Sequence, residues 1–193
     1  MAREASRVPI PTHLPPYVKG DKDPVLHVVV ETPRGGRNKM AYDEELGVFR
    51  LKKVLPEGMS FPYDFGFVPS TRGEDGDPLD ALVLMDESTT TGGLIDCRLI
   101  GAILGQQREK KGKPIRNDRL VTVAVPSYTH GDIKHVDDLN RSLLKELEKF
   151  FVNYHAEYGE TFRVLGCKGP KGAWRLVHAG AKQWGKQRRR GKL

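Results

Sequence analysis

The sequence is poor in cysteine and in long apolar runs, and each shortage excludes a class of protein. Cys97 and Cys167 are the only cysteines among 193 residues, too few for a disulfide-stapled secreted scaffold. The longest apolar runs, such as residues 81–85, are far shorter than the ~20 residues that span a bilayer. Residues 1–20 contain several prolines and no apolar signal-peptide core. We therefore expect a cytoplasmic protein with reduced thiols and no membrane contact.

The sequence is basic, with 32 Lys and Arg against 25 Asp and Glu, but the excess lies near its end. Residues 182–193 contain six Lys or Arg and no acid, which leaves 26 basic residues against 25 acids elsewhere. A net charge of +1 over residues 1–181 does not favour a nucleic-acid-binding groove. We expect residues 182–193 to form a solvated basic tail whose contact with nucleic acid is at most non-specific.

Local patterns predict strands in the first two thirds of the sequence. Residues 1–23 contain four prolines and are predicted to form an extended arm. Gly35 and Gly36 are typical of a turn. The segments with the apolar, β-branched composition of strands are residues 25–31, 46–55, 81–85, 98–104 and 120–125.

Helical periodicity replaces the strand pattern near the end of the sequence. Apolar residues recur every three or four positions from Leu139 to Tyr158, which predicts a helix capped by Asp137 or Asp138 and ended by Gly159. A second helix is predicted to begin at Pro170. Strands followed by helices indicate an α+β fold, with a single domain at residues 24–181 and a closed or curled sheet.

Acidic residues cluster immediately before the strand candidate at residues 81–85. Asp75, Asp77 and Asp80 fall within six residues, and Glu74 adds a fourth carboxylate. Two like charges ~4 Å apart repel by roughly 1 kcal/mol in water and by more in a less polar setting. A divalent cation would remove this repulsion, because carboxylate oxygens are preferred ligands of Mg²⁺, Mn²⁺ and Ca²⁺. A solvated turn built on Asp-Gly and Asp-Pro is the alternative interpretation.

Basic residues and one further acid complete the pattern. Glu31 ends the first strand candidate, and the Gly-rich turn after it is basic. Carboxylates on one side of a site and Arg or Lys on the other are typical of a site for a metal–phosphate complex. The basic residues considered for this role are Arg34, Arg37, Lys39, Lys52, Lys53 and Arg119.

Residues 75–83 read Asp-Gly-Asp-Pro-Leu-Asp followed by an apolar strand, and this segment resembles the signature of the soluble family I inorganic pyrophosphatases. The similarity runs from about residue 28 to about residue 166 and includes the blocks FPYDFGFVPS and NDRLVTVAVP. The resemblance implies a small OB-like five-stranded β-barrel with peripheral C-terminal helices. It also implies Mg²⁺-dependent hydrolysis of pyrophosphate to two phosphates, with Mn²⁺ as an alternative metal, in a homo-oligomer.

The same resemblance implies a role for each matching residue. Asp77 would help to deprotonate the attacking water. Asp75 and Asp80 would be metal ligands, and Glu31 would support the metal shell. The side chains implied in substrate binding are those of Lys39, Lys53, Arg119 and Tyr154.

Several positions depart from the family pattern and imply a divergent subgroup. Lys53 replaces an arginine and lacks the bidentate guanidinium fork. Asn117 replaces an acid and would be a neutral, weaker metal ligand. Ala41 also replaces an acid, so the outer metal shell is thinner than in the family. The other departures are Phe61 and Phe65 for tyrosines and His155 for a lysine. A further acid of the family aligns near Gln107, with Glu109 and Asp118 as alternative carboxylates.

Two other functions remain open from the sequence. One is metal-dependent hydrolysis of a different phosphoanhydride, which would use the same acidic cluster. The other is a non-catalytic OB-type binding module. Nucleic-acid-binding OB modules need exposed aromatic residues in a basic groove, whereas the aromatic residues of this sequence lie beside acids.

Overall fold

The computed structural model describes residues 10–18 and 23–191, so most of the predicted arm, residues 1–9 and 19–22, lies outside the described residues. The described residues form ten strands and two α-helices. The strands are β1 (Tyr17–Val18), β2 (Val25–Thr32), β3 (Asn38–Asp43), β4 (Val48–Val54), β5 (Asp64–Val68), β6 (Leu79–Leu84), β7 (Leu94–Arg108), β8 (Ile115–Arg116), β9 (Arg119–Ala124) and β10 (Thr161–Lys168), and the helices are α1 (Arg141–Glu157) and α2 (Pro170–Arg189).

Five strands close into a ring in the order β2–β5–β6–β9–β7, because β2 pairs with both β5 and β7. The β6–β9 pairing is parallel, and the other pairings of the ring are antiparallel. β1, β8 and β10 extend the sheet outside the ring, and β3 and β4 form a separate hairpin. The predicted α+β class and the five-stranded, barrel-like arrangement are confirmed.

Burial explains why the ring strands form. Every residue of β5 and β9 is buried, so both strands lie between packed layers. Gly66 on β5 is required for the close pairing with β2, because a Cβ built there would lie 1.9 Å from the carbonyl oxygen of Val29. The ring therefore depends on a residue without a side chain at the β2–β5 contact.

The start of α1 differs from its prediction. Asp137 and Asp138 belong to a short 3₁₀ turn, in which the His135 side chain accepts from the backbone N–H of Asp137 and the Asp138 carboxylate accepts from that of His135. The helix begins at Arg141, and Asn140 is its cap, accepting from the N–H of Ser142 at 2.8 Å. The aspartates are thus engaged by the preceding turn and cannot cap the helix. Gly159, at φ +70°, follows the helix end as predicted.

The last third of the chain also differs from a simple run of helices. β10 lies between α1 and α2 and pairs with β7. α2 continues to Arg189, so the predicted boundary at residue 182 falls inside a helix, and residues 182–189 form its last two turns. Its buried residues are Ala173, Val177 and Gly180, on the side that packs against the sheet. None of the helices in the described ranges has the length and apolarity needed to cross a membrane.

Candidate active site

A cleft of about 480 Å³ opens where strands of the ring begin and end. Because β6 and β9 are parallel, their first residues meet at the same edge, and Asp80 pairs in register with Arg119. All nine predicted site residues line this cleft: Glu31, Lys39, Lys53, Asp75, Asp77, Asp80, Asn117, Arg119 and Tyr154. The structure therefore brings together residues that are up to 123 positions apart in the sequence.

The acidic cluster lies on a tight loop, which we call the acidic loop (residues 73–80). The N–H of Gly73 donates to the carbonyl of Asp77 at 2.8 Å, and the N–H of Asp77 donates to Asp75 Oδ1 at 3.1 Å. Gly76 has φ +91°, a conformation that favours glycine. The loop thus holds the side chains of Asp75 and Asp77 near that of Asp80.

Helix α2 supports this loop from behind. The N–H of Arg72 donates to the carbonyl of Gly180 at 3.1 Å, and the side-chain amide of Gln183 donates to the carbonyl of Gly73 at 3.1 Å. A Cβ at Gly180 would lie 2.9 Å from Leu79 Cδ1, so the helix and the loop are in close contact. The position of the acidic loop therefore depends on α2.

Burial and mutual repulsion raise the pKa of the acids. Glu31 is buried, and this burial raises its pKa to about 7, although Lys39 Nζ lies 3.9 Å away and the N–H of Tyr42 donates to it. Desolvation and the Asp80 carboxylate raise the pKa of Asp75 to about 6. The pKa of Asp77 is raised by the same two causes. Asp75 and Asp77 lie at the solvent-exposed mouth, so water screens them more than it screens Glu31.

Arg119 is the buried cation of the cleft, only 4% exposed. Its Nη1 lies 2.5 Å from Asp80 Oδ2 and also donates to the side-chain oxygen of Asn117. The guanidinium lies over the rings of Phe151 and Phe162, at 5.2 and 5.4 Å from their centroids. Packing on aromatic rings and pairing with a carboxylate hold the charge in place.

Two hydrogen bonds and one ion pair link Asn117 to Lys53. The Asn117 amide donates to Gln107 Oε1 at 2.7 Å, and the Gln107 amide donates to Glu160 Oε2 at 3.0 Å. Glu160 Oε1 lies 3.8 Å from Lys53 Nζ, which itself lies over the ring of Tyr158 at 3.8 Å. The neutral residues at positions 107 and 117 are thus part of one connected network.

Sequence reasoning missed Glu160, and no local motif marks it. Glu160 follows the helix-ending Gly159, and it reaches the cleft because β10 pairs with β7, with Phe162 opposite Gln107. Arg72 was also missed, although it adjoins the acidic loop and its guanidinium donates to the carbonyl of Gly76.

The residues that depart from the family pattern all line the cleft, namely Ala41, Lys53, Phe61, Phe65, Gln107, Asn117 and His155. Burial lowers the pKa of His155 to about 4, and Arg119 and Lys53 add to this effect. Its Nδ1 lies 2.7 Å from the carbonyl of Phe151. His155 is therefore neutral at pH 7 and does not provide the positive charge of the lysine that it replaces. Burial raises the pKa of Tyr154, which keeps its hydroxyl protonated.

The donor set suits a hard divalent cation, but the side chains do not form a closed cage. Among residues 10–18 and 23–191, no three carboxylate, imidazole or thiol groups converge at the spacing of metal ligands. Asp80 instead contacts the guanidinium of Arg119. The carboxylate oxygens of the cleft are ligands of the kind that Mg²⁺ and Mn²⁺ prefer.

An OB-like ring that gathers carboxylates and cations into one cleft is typical of a hydrolase that acts on phosphate compounds with the help of metal ions. Residues 28–185 match the family model described as inorganic pyrophosphatase. The chain belongs to this family, and it is of the soluble type I, a class of metal-dependent hydrolases.

Curated relatives and solved structures agree with this assignment. The inorganic pyrophosphatase of Thermus thermophilus is 37% identical over 83% of this chain and 91% of its own, and that of Corynebacterium glutamicum is 38% identical over 81% and 95%. The crystal structure of the Thermus thermophilus enzyme superposes with a TM-score of 0.81 at 32% identity, covering 91% of this chain and 99% of the other. The Helicobacter pylori enzyme superposes with a TM-score of 0.77 at 30% identity, covering 86% and 96%.

Proposed function

We propose that this protein hydrolyses inorganic pyrophosphate to two phosphates with Mg²⁺ as its cofactor. The observation that best supports this function is that a single cleft brings the acidic loop and Glu31 together with Lys39, Lys53 and Arg119. Pyrophosphate carries several negative charges and repels an anionic nucleophile, so a site that hydrolyses it must provide compensating positive charge. Mn²⁺ offers similar coordination chemistry and is the alternative metal.

The metal is assigned to Asp75, Asp80 and Glu31, with Asn117 as a neutral fourth ligand. When bound, the divalent cations supply charge neutralisation and a lowered pKa for the attacking water. Glu31 and Asp75 must lose the protons that their raised pKa values favour. Asp80 must also share its oxygens with Arg119 or release it.

Asp77 is assigned as the general base. It lies between the metal-binding aspartates on the acidic loop and lines the cleft. Its pKa is raised by partial desolvation in the cleft and by Asp80, which makes its carboxylate a better proton acceptor than an ordinary aspartate. Asp77 can accept the proton only if metal does not occupy both of its oxygens.

The substrate is assigned to four side chains that line the cleft. Arg119 presents a planar fork to a phosphate group, whereas Lys39 and Lys53 present point charges. Glu160 partly neutralises the charge of Lys53 and holds its side chain beside the hydrogen-bonded residues Gln107 and Asn117. Tyr154, protonated because its pKa is raised, can donate a hydrogen bond to a phosphate oxygen.

The decisive experiment is phosphate release from pyrophosphate, with and without Mg²⁺, for the wild type and for Asp77→Asn. We expect Asp77→Asn to bind the metal with little change and to lose about 10²–10⁴-fold in turnover, the usual contribution of a general base. Glu74→Gln is the matched control, because Glu74 neighbours the cluster but does not line the cleft. Full activity in Asp77→Asn would refute the assignment of the base.

Further substrates and conditions in the same assay test the alternatives. Faster release of phosphate from a nucleoside triphosphate than from pyrophosphate would favour hydrolysis of another phosphoanhydride. Failure to turn over pyrophosphate at any Mg²⁺ or Mn²⁺ concentration would favour a non-catalytic binding module.

We also infer a homo-oligomer in the cytoplasm. Leu51 and Val54, on β4, are half-exposed apolar side chains that a second copy of the chain could cover. Cys97 and Cys167 are free thiols, which suits a reducing compartment. Analytical ultracentrifugation of the wild type and of Leu51→Ser/Val54→Ser tests the oligomer, which the double variant should weaken.

A further inference from the structure

Helix α2 carries a continuous row of basic side chains along one face. We call this row the α2 stripe. Its successive residues are four, three, four, four and three positions apart in the sequence. Such steps place side chains on one side of an α-helix. All members are exposed, and they are Lys171, Arg175, His178, Lys182, Lys186 and Arg189.

The charge of the stripe is not balanced locally. The 33 residues after Glu160 hold ten Lys or Arg and no Asp or Glu, whereas the residues up to Glu160 hold 22 Lys and Arg against 25 acids, a net charge of −3. Within the described ranges, none of the five Lys and Arg of the stripe forms an ion pair. The basic excess of the protein is therefore concentrated on α2 and its surroundings.

The opposite face of α2 is packed and holds the helix in place. Ala173, Val177 and Gly180 are buried, and Gly180 and Gln183 are hydrogen-bonded to the segment that carries the acidic loop. Because its apolar face is already covered, α2 cannot lie in a membrane surface, which requires a free apolar face. The stripe is thus a fixed row of charges rather than a flexible tail.

The length and composition of the stripe indicate its partner. From Lys171 to Arg189 the helix rises about 27 Å at ~1.5 Å per residue. This length corresponds to about eight base pairs of duplex at ~3.4 Å each. The tryptophans of α2, Trp174 and Trp184, contact Tyr17 and His13 and are half-buried, so the stripe offers no free aromatic ring for stacking on unpaired bases.

We propose that the α2 stripe binds the phosphate backbone of double-stranded nucleic acid without sequence preference. Lysine and arginine side chains that contact phosphates give this kind of binding through the release of counterions. Nucleotide polymerisation releases pyrophosphate, so binding would place the hydrolysis near its substrate. That consequence rests on the proposed function, whereas the binding itself does not.

The test measures fluorescence anisotropy of two labelled 20-base-pair DNA duplexes of unrelated sequence, titrated with the full chain over a series of salt concentrations. We expect equal affinity for both duplexes and a plot of log affinity against log salt with a slope of up to about −4.5, for five phosphate contacts. No binding at low salt, or a strong preference for one duplex, would overturn the proposal.

Variants in which lysines are replaced by glutamate test whether the duplex contacts α2. Lys182→Glu/Lys186→Glu should weaken binding at least ~10-fold and make the salt slope shallower by about 2. Lys145→Glu/Lys149→Glu is the matched control, because these exposed lysines have the same spacing on α1 and the variant has the same net charge. Equal weakening by both variants would show an effect of net charge alone and overturn the assignment to α2.

Two further measurements separate the remaining outcomes. If the protein binds vesicles of anionic phospholipid as tightly as it binds duplex, the stripe attracts any polyanion, and the proposal is overturned. Phosphate release from pyrophosphate by both double variants should equal that of the wild type, which shows that they fold. A wild type that binds duplex but does not release phosphate would refute the proposed function and leave this inference in place.

Discussion

Asp80 and Arg119 face each other across the parallel pairing of β6 and β9, with Asp80 Oδ2 2.5 Å from Arg119 Nη1. The pair joins a carboxylate that we assign to metal with a guanidinium that we assign to phosphate. Each side chain neutralises the other, so neither charge is left unpaired at the base of the cleft. Binding of a metal therefore requires Asp80 to share its oxygens with Arg119 or to release it.

Arg119→Lys should lower kcat/KM for pyrophosphate by roughly 100-fold, although the charge is kept. The lysine cannot present the planar fork that holds both a phosphate and Asp80, and loss of one such donor typically costs about 10²–10³-fold. Steady-state phosphate release measures the change. Arg116→Lys is the control, since Arg116 binds Asp118 outside the cleft. Equal losses in the two variants would argue against a specific role for Arg119.

Addition of Mg²⁺ should release protons in a pH-dependent manner. The pKa of Glu31 is about 7 and that of Asp75 about 6, and both carboxyls must ionise to bind a cation. We expect release of about one proton or more per molecule at pH 6 and close to none at pH 8.5. Calorimetry in buffers of different ionisation enthalpy measures the release. Glu31→Gln should abolish most of it, and a release independent of pH would contradict the metal assignment.

His155 should make the folded state less stable in mild acid. Its pKa is about 4 in the folded protein and 6.5 in the unfolded chain, so between these values the unfolded state binds a proton that the folded state does not. The free energy of unfolding should therefore fall as pH drops from 6.5 to 4, by up to ~3 kcal/mol from this residue. Urea unfolding gives the free energy of unfolding of the wild type and of His155→Gln at each pH in this range. The difference in free energy between the two proteins should shrink towards pH 4. A difference that does not change with pH would show that the histidine does not titrate in this way.

Gly180→Ala and Gly185→Ala should have opposite effects, although both replace a glycine within α2. A Cβ at Gly185 meets nothing within 4 Å, so this variant should gain about 0.8–1 kcal/mol from helix propensity. A Cβ at Gly180 would lie 2.9 Å from Leu79 Cδ1 and 3.3 Å from Thr71 Cβ, so the Leu79 side chain, or the acidic loop that carries it, must shift away from the helix. We expect Gly180→Ala to lower both the melting temperature and the affinity for Mg²⁺. Equal metal affinity in the two variants would show that α2 does not position the loop.

The sequence predicts those parts of the fold that carry a local pattern. The strands that begin at Val25, Leu79 and Arg119 were predicted because β-branched and apolar residues are continuous there. β5 was not predicted, because its five buried residues belong to a short aromatic segment that has no alternation. β10 was also not predicted, since its alternation is weak and it lies between two helices.

The candidate site was predictable wherever a motif or a resemblance marks a residue. Asp75, Asp77 and Asp80 stand out by their spacing alone. Glu160 has no such signal, because only the antiparallel pairing of β10 with β7 brings it beside Gln107. The pairing of Asp80 with Arg119 could not be predicted from the sequence either, since it depends on the register of two strands whose paired residues are 39 positions apart.

Closure of the ring has a consequence for aggregation. A strand at the edge of a sheet exposes backbone N–H and C=O groups to which a strand of another chain can add. Each of the five ring strands pairs on both sides. In the described part of the main sheet, β10 is the one strand longer than two residues that has a single partner. A shift in register near Gly166 and the charges of Arg163 and Lys168 make β10 a poor template for fibril growth.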